Sequence, residues 1–72
     1  MRDWMIKARE SKQMTLAQAA EHIGISESYY LLIEQGKRQK ELDLTTAIKL
    51  GELYGLTVEQ IIGKEIQWKE SQ

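Results

Sequence analysis

The stretch from Thr15 to Gly36, TLAQAAEHIGISESYYLLIEQG, leaves the chain few ways to fold. Thr15 followed three residues later by Gln18 is a capping box, in which each side chain satisfies an amide the start of a helix leaves orphaned. Ala19, Ala20 and Ile23 then recur at helical spacing, and the two alanines allow another helix to cross closely. Gly24 can take the left-handed conformation that stops a helix, and Ser26 caps a second one that Gly36 ends. Two short helices must therefore meet at a tight turn. Stepping 100° per residue along Ser26 to Gln35 puts Tyr30, Ile33 and Glu34 on the inner side and Ser28, Leu32 and Gln35 on the outer side. What the outer side presents decides what the chain can do.

The remaining sequence extends the same pattern. Apolar residues recur at three and four rather than two, and there is no proline, so the spacing predicts an all-α domain of five helices. The first should run from about Asp3 to Lys12 with Trp4, Met5 and Ala8 on one face. Its exit lacks a glycine, and a left-handed Gln13 there costs on the order of 1 kcal/mol. The fourth should span about Asp43 to Tyr54, with Leu44, Ala47, Ile48, Leu50 and Tyr54 as its apolar face and Gly51 marking a close helix contact. Thr57 and Gln60 form a second capping box opening a helix of one or two turns, whose Val58, Ile61 and Ile62 close the core before Gly63. Residues 1–63 thus form the domain. Residues 64–72 are a tail, either loosely attached or contacting a second copy, in which Ile66 and Trp68 alternate as a strand would.

Seventy-two residues suit one domain, which buries only about 60% of the surface its unfolded chain exposes. There is no cysteine for a disulfide or thiolate metal site, so helix packing must hold the fold. No apolar run approaches the roughly 18 residues of a membrane span. The N-terminal MRDWMIKARE is too charged for a signal peptide, and the expectation is a soluble cytoplasmic protein. Catalysis lacks the groups it needs. His22 is the one histidine, and no carboxylate pair stands in an acid and base arrangement, so no enzyme, cofactor or metal is expected.

The net charge of −1 conceals a strong polarity. Residues 1–12 hold four bases and two acids, residues 13–35 three acids and no Lys or Arg, and residues 41–72 three bases and six acids. Between the last two, Gly36 to Lys40 carries Lys37, Arg38 and Lys40 with no acid. Base is therefore concentrated in the N-terminal helix and immediately after Gly36, a polarity that suits either a binding face or ordinary solvated surface.

A Thr-capped helix, the Gly24-Ile25-Ser26 turn, and Ser28-Tyr29-Tyr30-Leu31-Leu32-Ile33-Glu34-Gln35-Gly36-Lys37-Arg38 resemble the helix-turn-helix of the phage repressor and Cro-like, xenobiotic-response-element class of bacterial regulators. The resemblance covers residues 3 to 63 and implies a lambda-repressor-like five-helix bundle. Such a bundle binds double-stranded operator DNA as a homodimer, with the third helix in the major groove. It implies that Glu27, Ser28 and Leu32 face bases, that Thr15, Leu16 and Tyr29 lie near the backbone, that Gln18 and Gln35 belong to the DNA-contacting set, and that Lys37, Arg38 and Lys40 grip phosphates. It also implies an ion pair between Glu34 and Arg9. The sequence departs from the pattern in three places. Leu31 and Leu32 stand where polar or basic residues are usual, and Leu16 where glutamine often touches the operator backbone. Leucine can contact a thymine methyl and Glu27 can accept from cytosine, but neither makes a bidentate grip on a base. The alternative is a protein-binding adaptor or antitoxin-like module of the same fold, with a protein partner at Leu31, Leu32 or the tail.

Overall fold

A computed structural model describes residues 1–72 as five α-helices and no strand. They are α1 (Asp3–Ser11), α2 (Leu16–Ile23), α3 (Glu27–Glu34), α4 (Leu44–Tyr54) and α5 (Val58–Glu70). Side chains cap four of the five. Thr15 and Thr57 each form a full capping box with Gln18 and Gln60, while Ser26 accepts from the Tyr29 amide and Asp43 from the Thr46 amide. The Asp43 carboxyl is held below its ordinary value chiefly by that backbone hydrogen bond. Gln13 is left-handed at φ 56°, as the missing glycine requires.

The helices wrap one core. α2 packs on α3 and α4, α4 on α5, and α1 on both α3 and α5. Met5, Ala19, Ala20, Ile23, Tyr30, Ile33, Ala47, Leu50, Tyr54 and Ile61 form its buried cluster. Two buried hydroxyls, those of Tyr30 and Tyr54, hydrogen-bond to each other across it, and Trp4 meets the Tyr54 ring edge-on at 6.1 Å. Arg9 pairs with the buried Glu34 at 2.8 Å, joining α1 to α3. That hydrogen bond holds the Arg9 guanidinium above its already high ordinary value.

Three expectations need correction. Three apolar residues expected in the core lie outside it: Leu44 and Ile48 are 69% and 41% exposed, because the inner face of α4 is centred on Ala47, Leu50, Gly51 and Tyr54, and Ile62 is 51% exposed beside the buried Ile61. Gly51 does mark a close approach, but to the turn after its own helix: an added Cβ would stand 2.6 Å from the Leu56 carbonyl oxygen. Finally, α5 does not stop at Gly63. It continues to Glu70 because Ile61, Glu65 and Trp68 form one inward stripe, so residues 64–70 are helical rather than strand-like or loose.

Candidate nucleic-acid interface

The geometry of the surface starts at the turn between α2 and α3. Gly24 is left-handed at φ 73°, and the Ile25 amide reaches back to the Ala20 carbonyl at 3.1 Å, reversing the chain within three residues. Ala19, Ala20 and Ile23 of α2 and Tyr30 and Ile33 of α3 are buried in the shared core. With those faces committed inward, the exposed first turn of α3 carries Glu27 and Ser28. Leu31, Leu32 and Gln35 are half-buried along the same helix, and neither leucine belongs to the apolar set packed against the core.

The basic residues follow directly. Gly36, at φ 76°, turns the chain out of α3, and the amides of Lys37 and Arg38 both donate to the Leu32 carbonyl, at 2.9 and 3.2 Å. Their side chains and that of Lys40 are exposed. Between them Gln39 adopts φ 51°, and its side chain is a bridge: the amide nitrogen donates to the Tyr29 and Thr46 hydroxyls, and its oxygen accepts from the Asp43 amide. The basic segment is therefore fixed in shape, tied to α3 on one side and to the start of α4 on the other.

The other sequence-derived residues fall into two groups. Thr15 and Gln18 are exposed at the start of α2, but their side-chain oxygens already accept from each other's backbone amides. Leu16 and Tyr29 are half-buried and pack against the core, and the Tyr29 hydroxyl is held by Gln39. Sequence reasoning missed two residues that shape this surface. Arg2 is completely buried behind the basic segment, and Gln39 organises it from within. No local pattern marks either: Arg2 acts through partners distant in sequence, and Gln39 through side-chain bonds that bridge α3 and the start of α4. Nor is Trp68 free at the surface: it lies against Gly36, where an added Cβ would come within 2.8 Å of its ring, and over the Arg2 guanidinium at 4.6 Å.

Five helices, a reversed helix pair and a basic edge at the end of its second member define a helix-turn-helix DNA-binding domain. The helix-turn-helix family model matches residues 5–61, and the chain belongs to that family, the Cro/C1-type DNA-binding regulators. No curated protein and no solved structure gives a match. No helix is long and apolar enough to cross a membrane.

Proposed function

We propose that the chain is a sequence-specific transcriptional repressor that binds a two-fold symmetric operator as a homodimer, with α3 in the major groove. The observation that carries this reading is the rigid basic segment Lys37 to Lys40, placed where α3 leaves the groove and reaches the flanking backbone. Lys37, Arg38 and Lys40 grip phosphates, and the Leu16 and Ala17 amides at the start of α2 offer a second phosphate contact. Glu27, Ser28 and Leu32 face the bases. They supply one acceptor, one hydroxyl and one apolar contact, a combination suited to cytosine N4 and a thymine methyl rather than to bidentate reading of guanine or adenine. Binding therefore leans on backbone contacts and DNA shape.

The second copy docks on the apolar face that α4 and α5 leave uncovered. Leu44 and Ile48 of α4 and Ile62 and Ile66 of α5, two helices packed on each other, are between 41% and 69% exposed and supply the apolar side chains for this contact. The domain measures 29 × 23 × 22 Å. A homodimer reading a two-fold symmetric operator places its third helices in successive major grooves, about 34 Å apart.

Fluorescence anisotropy against duplex DNA from upstream of the chain's own gene, repeated across salt concentrations, tests the reading. Binding should fall steeply with salt, and Lys37→Ala or Arg38→Ala should weaken it uniformly across sequences while lowering the slope by about one each. Absence of binding at low salt would overturn it and favour an adaptor that uses Leu31 and Leu32 against protein.

A further inference from the structure

Arg2 is the most completely enclosed charge in the molecule, with 0% exposure. Burying a guanidinium is costly unless its N–H groups find acceptors, and here four of the five do. The Nε donates to the Glu65 carboxylate at 2.9 Å, and one terminal nitrogen donates to the Ile33 carbonyl at 2.7 Å and the Arg38 carbonyl at 3.2 Å. The other terminal nitrogen donates to the Gln39 carbonyl, and the Trp68 ring covers the group's face. The Arg2 backbone amide adds a bond to the Glu34 carbonyl at 2.7 Å. The three carbonyls that accept from the guanidinium lie within seven residues, from the last turn of α3 into the basic segment, so that stretch curls around one planar group. The curl includes Gln39 at φ 51°, a backbone conformation that residues with a Cβ rarely adopt.

We propose that Arg2 is a positioning residue for DNA binding: it holds the backbone of Arg38 and Gln39 so that Lys37, Arg38 and Lys40 are presented together, and through Glu65 and Trp68 it makes the last turns of α5 part of the DNA-binding unit. The proposal rests on the reading of the basic segment as the phosphate contact. Lysine cannot replace it, because a single ammonium lacks the flat fork that spans three carbonyls and a carboxylate while stacking on an indole. Glu65 in turn is fixed by the Trp4 indole N–H at 2.9 Å, so α1, α5 and the basic segment meet at one buried node.

Two measurements on the full chain decide it, made well below the unfolding midpoint of each variant: amide hydrogen exchange of the DNA-free protein by NMR, and binding to a mixed-sequence duplex across salt concentrations. In Arg2→Lys, the Lys37 and Arg38 amides should exchange about tenfold faster relative to those of α2 and α4, as expected for local rather than global opening. Duplex affinity at low salt should fall by about tenfold and the salt slope by about one to two, because a segment that no longer holds its shape loses phosphate contacts. Glu65→Gln, which keeps the side chain's shape, should move both readouts in the same direction by less, and it decides the matter if Arg2→Lys does not fold. Unchanged exchange at Lys37 and Arg38, or a wild-type salt slope in a folded variant, would show that Arg2 contributes stability alone. If the wild-type chain binds no duplex, the phosphate reading falls, and with it the DNA-positioning role. The exchange data would then still decide separately whether Arg2 holds the segment.

Discussion

Glu34 shows how a single buried charge constrains the fold. It is 1% exposed and its carboxylate takes both the Nε and a terminal nitrogen of Arg9, at 2.8 and 3.4 Å. Such a pair adds little net stability over an apolar replacement, but removing one partner strands the other. Glu34→Ala leaves Arg9 with the Met14 carbonyl as its remaining partner and should lower stability by about 3 kcal/mol, near the lower end of the range for broken buried pairs. Chemical denaturation would read this as a lower midpoint at unchanged slope, and an unmoved midpoint would contradict it. The two buried tyrosines set a different limit. Burial raises both hydroxyls above their ordinary value of 10, so each stays protonated in the folded chain after it has ionised in the unfolded one. Above that pH the folded state binds more protons, so their contribution is complete below pH 10 and is lost as pH rises beyond it. Thermal midpoints should therefore fall on the alkaline side of 10, and the double variant Tyr30→Phe, Tyr54→Phe should flatten that fall.

At the scale of the element, the two helical glycines make opposite predictions from one residue type. Gly63 lies in the middle of α5 with no atom within 4 Å of where a Cβ would stand, so Gly63→Ala should stabilise the chain by up to about 1 kcal/mol. Gly51 is buried in α4, and the same change there drives a methyl group to 2.6 Å from the backbone oxygen of Leu56, so Gly51→Ala should lower the thermal midpoint. The contrast also explains which elements the sequence discloses. Gly24, Gly36 and Gly55 are left-handed helix ends, and their position after periodic segments, together with the Thr15, Ser26 and Thr57 caps, is local chemistry that can be read directly. Gly63 has the same sequence context but sits inside a helix. The inward stripe of Ile61, Glu65 and Trp68 has a carboxylate at its centre, which makes sense only once Arg2 is known to lie opposite, sixty-three residues away. The end of α5 was thus hidden for the same reason as Arg2 itself. α4 misled differently: its apolar residues are more numerous than its core face can take, and periodicity alone does not say which of them, Leu44 and Ile48 here, are left for solvent or a partner. Within the proposed DNA-contacting surface, the turn and the positions of the basic trio can be read from composition, whereas the buried Arg2 beneath Lys37 to Lys40 depends on long-range contacts with no local signature.

For the whole molecule, the net charge of −1 means that attraction to DNA must come from how charge is distributed. On the proposed reading, one chain offers few phosphate contacts, and Glu27, Ser28 and Leu32 make no bidentate grip on a base, so useful affinity calls for two copies acting through one complex. On the same reading, that couples the exposed apolar side chains of α4 and α5 to binding through α3 and the basic segment. The coupling can be broken where Ile62 and Ile66 are 51% and 53% exposed, since a charge placed there costs the isolated chain little. Ile62→Asp should keep the helical content and thermal midpoint close to those of a wild-type monomer, yet sediment as a monomer at concentrations where the wild type is a dimer. With only one half-site engaged at a time, its binding to a palindromic duplex should weaken, and its salt slope should drop to about half the wild-type value, because the slope counts the phosphates neutralised in the complex. A wild-type chain that remains monomeric at high concentration while binding with the full slope would remove this face from the mechanism. A variant that loses dimerisation but keeps the wild-type slope would instead show that the second copy assembles on the DNA itself.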